Sequence, residues 1–205
     1  MALRLALGVS KSNLTIQQLN NKSLMLKTYI KRLGQALAGL MLAACGQPGP
    51  GGPGQPSAAY ARLLQGLYRG TVPTVRPAAL ATELHQHSGA VLLLDTRTPV
   101  EFNISHLAGA ELIDFSTFQT REFAGVPRSR PVVVYCSVGA RSEKVGERLR
   151  ALGFTNVRNL YGGLFEWMNE GHPVINAQGP TNQVHPYSAL WGIWLTRGEK
   201  NYGKE

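Results

Sequence analysis

The chain has 205 residues, two cysteines and a formal net charge of +9. Six Lys and Arg with no Asp or Glu fall in residues 1–44, so fifteen Lys and Arg against twelve Asp and Glu leave only +3 for residues 45–205. The pI of 9.9 thus reflects mainly one segment, which removes the charge argument for a nucleic-acid partner. Length and composition along the chain point to one folded domain.

The basic segment reads as an address. Lys27, Lys31 and Arg32 precede a short apolar stretch, Leu33 to Ala44, and the small pair Ala43-Ala44 precedes Cys45. This is the layout of a secretory signal over residues 1–44, too short for an ordinary membrane span. The basic region sits close to Met25, which reads as the natural start. Leu42-Ala43-Ala44-Cys45 resembles the bacterial lipobox, which implies that Cys45 is acylated; a plain cleaved or uncleaved signal is the alternative. From Gly46 to Ser57, Pro and Gly alternate too closely for helix or strand, so residues 45–57 form a tether behind the acylated cysteine. Gly46 stands where an inner-membrane retention signal places Asp. The resemblance therefore implies a lipid-anchored, periplasm-facing protein, with the outer membrane favoured.

From residue 58 to 180 the pattern alternates strand and helix, the mark of an α/β fold with a parallel central sheet flanked by helices. Tyr60 to Leu67 predicts a lead-in helix. Thr71 to Val75 predicts a strand that Pro73 confines to an edge. Pro77 to His87 predicts a helix with Leu80 and Leu84 on one face, and Val91 to Leu94 a central strand ending at Asp95-Thr96-Arg97. Pro99 to Ile104 predicts a short helix, Ala110 to Ile113 a strand, and Phe115 to Phe123 a helix-rich connection. Val132 to Tyr135 is a β-branched run without polar interruption, hence a buried parallel strand. A helix from Glu143 to Leu152, a strand from Val157 to Leu160 and a helix from Gly162-Gly163 to Glu170 complete the series, with Gly171 as its stop.

Between the Val132 strand and the following helix lies a tight loop, Cys136 to Arg141, with Ser142 at an expected N-cap position. A cysteine there faces backbone N–H groups and the positive end of a helix dipole, which favour thiolate, the reactive form. Gly139 allows φ > 0, so that successive N–H groups can turn inward as an anion cradle. Arg141 adds a charge able to fork onto an oxyanion. The bland alternative is a small buried hydrophobe; Gly139, Arg141, Ser142 and the following helix all fit the nucleophile instead.

Leu92-Leu93-Leu94-Asp95-Thr96-Arg97, Glu101-Phe102, His106-Leu107-Ala108-Gly109-Ala110, Cys136-Ser137-Val138-Gly139-Ala140-Arg141-Ser142, Gly162-Gly163 and Trp167 resemble, in order and spacing, a rhodanese domain over roughly residues 75–180. Ala108 departs from the family, which usually has proline there. The resemblance implies a sulfurtransferase in which Cys136 carries a sulfane sulfur as a persulfide, with Ser137, Val138, Gly139, Ala140, Arg141 and Ser142 around the substrate. The implied partners are a small donor (thiosulfate, a polysulfide or a persulfide) and a cyanide or thiol acceptor, which could be a protein. The chemistry requires no metal and no cofactor, and the five histidines lack metal-ligand spacing.

Asp95, Arg97, Glu101 and His106 read as supporting residues, with Arg97 and Glu101 expected to pair beneath the cysteine loop. Four residues separate Cys136 from Arg141, against the five of phosphatases and some arsenate reductases, so the tighter cradle favours sulfur over a tetrahedral oxyanion. A non-catalytic sulfur carrier or interaction module is the other reading. In residues 181–205, Tyr187, Leu190, Trp191, Ile193, Trp194 and Leu195 are too apolar to stay loose; packing against the domain is expected, with a membrane or partner contact as the alternative.

Overall fold

Short apolar runs separated by helices can pair only in parallel, because each return to the sheet needs a crossover. The computed structural model describes residues 56–87 and 89–203, and shows this arrangement. The signal segment, Met25, Cys45 and most of the Pro/Gly tether lie outside the described residues.

The elements are α1 (Ala58–Leu67), β1 (Thr74–Val75), α2 (Pro77–Gln86), β2 (Leu92–Asp95), α3 (Pro99–Ile104), β3 (Glu111–Leu112), β4 (Val132–Tyr135), α4 (Ala140–Ala151), β5 (Val157–Leu160) and α5 (Gly163–Asn169). Strands β1 to β5 form one parallel sheet in the order β1-β5-β4-β2-β3. The two central strands, Leu92–Asp95 and Val132–Tyr135, are buried along their whole length. Leu-Leu-Leu and Val-Val-Val fit such positions because both faces are covered, so alternation with polar residues would leave unpaired groups inside. Pro73 precedes the edge strand β1, where its missing N–H costs no ladder bond.

Three expected elements come out clearly shorter, among them the strand expected over 110–113, which pairs only at Glu111 and Leu112. The Thr71–Val75 strand pairs only at Thr74 and Val75. Thr71 instead turns its N–H and hydroxyl to the Glu143 carboxylate, which takes it off the ladder. The connection expected to be helix-rich over 115–123 holds a single 3-10 turn, Phe118–Thr120. Phe118 and Phe123 are buried and anchor this segment without helical periodicity.

Helix α4 lies close on the sheet at Gly146, where an added Cβ would meet Val72 at 3.0 Å and Val134 at 3.5 Å. Val145 and Leu149 complete its buried face. The sheet order reverses between β2 and β4. The chain leaves β2 toward β3 on one side and leaves β4 toward β5 on the other, so the loops after β2 and β4 diverge over a crevice at the strand carboxyl ends.

The C-terminal residues add a hairpin of β6 (Val174–Asn176) and β7 (Gly179–Thr181), the short strands β8 (Gln183–Val184) and β9 (Glu199–Lys200), and one turn of helix, α6 (Ala189–Gly192), between them. As expected, this segment packs on the domain: Trp191 and Leu195 are buried, Trp194 stacks on Tyr60 at 5.5 Å, and Asn169 donates to the Trp194 carbonyl at 2.9 Å. Among the described residues, no helix is long and apolar enough to cross a membrane.

Candidate active site

Cys136 follows β4 directly, at the carboxyl end of a central strand, and its side chain is held where the sheet order reverses. Gly139, at φ 94°, caps α4 in the left-handed conformation and turns its N–H onto the Cys136 Sγ at 3.1 Å. The helix therefore begins at Ala140, not Glu143, and Arg141 and Ser142 lie in its first turn. The expected N-cap role of Ser142 is corrected: a glycine able to adopt φ > 0 starts the helix three residues earlier. The Ser142 hydroxyl instead donates to Asn159 Oδ1 at 2.7 Å, while Asn159 Nδ2 donates to the Gly139 carbonyl at 2.9 Å. A bidentate Asn on the neighbouring strand β5 thus pins the helix start to the sheet.

The rest of the loop is anchored from beneath and from one side. The N–H groups of Leu164 and Phe165 donate to the Cys136 and Ser137 carbonyls at 2.8 and 3.0 Å. This approach requires Gly163, at φ 58°, because a Cβ there would stand 2.3 Å from the Cys136 carbonyl oxygen. The Tyr68 hydroxyl donates to the Val138 carbonyl at 2.8 Å and accepts the Gly162 N–H at 2.9 Å. Burial holds the Tyr68 phenol well above the ordinary tyrosine range, so it remains a donor. With the Cys136, Ser137 and Val138 carbonyls bonded away from the loop, the Gly139 N–H is left to donate to the sulfur at the start of α4.

Arg141 is not aimed at open space. Its Nη1 and Nη2 donate to Glu101 Oε2 and Oε1 at 2.9 and 2.7 Å, and Nη2 also donates to Ser137 Oγ at 3.0 Å. The Ser137 hydroxyl in turn donates to Glu101 Oε1 at 2.9 Å. Glu101 closes a capping box with Thr98 at the start of α3, so one carboxylate joins the loop after β2 to the loop after β4. Burial alone would raise this carboxyl, but the Arg141 guanidinium, with Arg97 and the Thr98 N–H behind it, overcomes that and holds it down to about 2.

The expected Arg97–Glu101 pair is corrected. Arg97 takes Asp95, with Nε at 2.9 Å from Oδ1 and Nη2 at 2.6 Å from Oδ2, and Nη2 also reaches the Ser105 carbonyl. Two residues apart in one tight turn, Asp95 and Arg97 meet locally, while the sheet brings Arg141 to Glu101 across forty positions. Both buried pairs are internally balanced. His106 lies apart from this network: its Nδ1–H donates to the Phe102 carbonyl at 2.9 Å, its ring stacks on Phe102 at 3.8 Å, and its backbone bridges Ile175. It ties the β6 hairpin to α3.

A rhodanese-like domain model matches residues 79–170. The chain is 35% identical over 89 residues to a protein named sulfurtransferase from Allochromatium vinosum, a match covering 43% of this chain and 82% of that one. The chain belongs to the rhodanese-like family. It is also 37% identical over 82 residues to "Probable adenylyltransferase/sulfurtransferase MoeZ" of Mycobacterium tuberculosis, covering 40% of this chain and 21% of the relative, about a fifth of its length. A tRNA uridine(34) hydroxylase of Pelagibacter ubique is 32% identical over 81 residues, 38% of this chain and 26% of that one. A solved rhodanese-related protein from Thermoplasma volcanium shares 28% identity over 50% of this chain and 97% of its own, with a TM-score of 0.43. Members of the family matched here thus carry different names, sulfurtransferase among them and tRNA uridine(34) hydroxylase as well.

Three contributors to the site are not singled out by sequence reasoning. Asn159 had little signal, because Arg158 beside it is polar too and only the fold buries the amide. Thr98 had one, since Thr98-Pro99-Val100-Glu101 has the capping-box spacing. Tyr68 had none: it is one aromatic in a loop, and only the fold brings it against Val138.

Proposed function

We propose that Cys136 takes a sulfane sulfur from a small donor, such as thiosulfate, a polysulfide or a persulfide, and passes it to cyanide, a thiol or a protein acceptor. The Gly139 N–H donating to Sγ inside an anchored loop carries this reading. In the first step the thiolate attacks the outer sulfur of the donor; with thiosulfate, the new S–S bond forms as the donor's S–S bond breaks and sulfite leaves with the electron pair. The terminal sulfur of Cys-S-S⁻ then bonds to the acceptor, and the electron pair of the cleaved bond returns to the Cys136 thiolate. Negative charge stays at the loop centre throughout, where the N–H groups at the start of α4 stabilise it. Ser137, Val138, Gly139, Ala140, Arg141 and Ser142 form the cradle, with Arg141 and Ser137 held in place by Glu101.

Intact mass of the full chain after incubation with each donor is the test. One added sulfur atom is expected on the native protein and none on Cys136→Ser; equal loading of both would overturn the proposal. A sulfur carrier, or an interaction module without turnover, is the second reading, favoured by the low exposure of Cys136, 1%. A carrier loads once without multiple turnover, whereas an inert Cys136 leaves interaction alone.

We further propose that Cys45 is acylated and holds the domain on a tether at the periplasmic face of a bacterial envelope membrane, the outer one favoured by Gly46. The basic region, apolar stretch and Leu42-Ala43-Ala44-Cys45 sequence support this placement.

A further inference from the structure

Tyr187 is the one non-glycine residue with a left-handed backbone, φ 65°, among the described residues. Such a conformation is unfavourable for an aromatic residue, and it persists where the surroundings over-determine it. Here they do. The Tyr187 N–H donates to His185 Nδ1 at 3.0 Å. With that nitrogen acting as acceptor, the other carries the ring proton and donates to the Tyr202 carbonyl, Nε2 to oxygen 2.9 Å. Strands β8 and β9 clamp the two ends of the segment together on either side of α6.

The strained turn sets the Tyr187 ring over the Arg141 guanidinium, with Cζ 5.1 Å from the ring centroid. Arg141 spends its edge on Glu101 and Ser137, so the aromatic ring takes the face that those bonds leave, as a cation–π contact. Tyr187 as a whole is 42% exposed. Core packing therefore does not hold it there. Tyr68, from the other end of the domain, covers Gly139 on the cysteine loop, where an added Cβ would lie 2.2 Å from its hydroxyl oxygen. Two tyrosines from opposite ends of the fold thus flank the loop that holds Cys136.

We propose that Tyr187 is a specificity-determining wall of the Cys136 pocket, selecting narrow sulfur donors and acceptors and excluding ones with bulk next to the sulfur. The inference rests on the sulfurtransferase reading for its substrates, but the wall itself can be tested without sulfur transfer. Tyr187→Gly removes the ring and suits the left-handed backbone, so folding is not put at risk. Tyr187→Phe keeps the ring over Arg141 and removes only the hydroxyl.

In the full-length protein, the rate of Cys136 alkylation is measured with iodoacetamide and with a bulky N-aryl maleimide. Each rate is compared with that of a Cys136→Ser control, to subtract any reaction at Cys45. Tyr187→Gly is expected to speed the bulky reagent about tenfold while changing iodoacetamide less than about twofold, and Tyr187→Phe to match the native protein. The same ratio should appear in kcat/KM for a bulky against a small persulfide donor. An unchanged ratio in Tyr187→Gly would overturn the proposal, as would equal acceleration of both reagents or a Tyr187→Phe protein that behaves like the glycine variant. If alkylation shows the selectivity but no donor loads Cys136, the wall stands and the sulfurtransferase reading fails.

Discussion

Replacing Glu101 with Gln keeps the shape of the side chain and removes its charge, leaving the buried Arg141 guanidinium without its counter-ion. The native carboxyl is held at about 2 against an ordinary 4.5. That depression corresponds to about 3 kcal/mol of native-state stabilisation at neutral pH. It agrees with the range of about 3–5 kcal/mol expected when one partner of a buried pair is removed. The sign follows from the direction of the shift. A depressed carboxyl stabilises the fold at pH values above 4.5, and the contribution is lost as pH falls through 2. Urea unfolding of Glu101→Gln and the native protein should therefore differ by about 3 kcal/mol at pH 7, with the gap closing progressively below about pH 5. A gap under about 1 kcal/mol at pH 7, or one that stays constant down to pH 2, would refute the reasoning.

Gly163→Ala should cost about 2–4 kcal/mol and slow alkylation of Cys136, because the added Cβ meets the cysteine carbonyl at φ 58°. Gly153→Ala, at φ 90° with open space around it, should cost only about 1 kcal/mol and leave alkylation unchanged; denaturation and alkylation rates separate the two. Burial and the neighbouring Glu170 raise the Glu166 carboxyl to about 7, so its protonated form is the one the fold prefers, and that stabilisation fades as pH rises from 4.5 through 7. Glu166→Gln is accordingly expected to be more stable than the native protein by about 1–3 kcal/mol at pH 8 and equal to it near pH 4, measured by urea unfolding. Cys45→Ala should move the protein out of the membrane fraction on sedimentation at high salt, since a diacylglyceryl group supplies the two chains that stable anchoring needs.

The local elements were legible because the forces that make them are local. Val132–Tyr135 has the expected bounds because a short apolar run flanked by polar turns can bury both faces only as a strand inside a sheet. Pro99–Ile104 begins at a proline whose missing N–H suits the first turn. The loop chemistry was legible for the same reason: strand, cysteine, glycine and helix are adjacent in the chain, so their sequence order alone sets sulfur, N–H groups and dipole together. Even there the helix start depended on which residue took φ > 0, and Gly139 displaced Ser142.

What the sequence left open is every contact that crosses the sheet. Nothing local says that β4 lies between β2 and β5, yet that order puts Glu101 against Arg141 and Ser137, and leaves Asp95 for Arg97. Charge pairing has no sequence period, because any cation can satisfy any carboxylate that the fold brings within 3 Å. The same holds for Tyr68 on Val138 and Tyr187 on Arg141: each is one aromatic in an irregular segment. The sequence by itself determined where the cysteine stands and the loop that seats it, while the tertiary structure decided what neutralises the arginine and which aromatic ring lies over it.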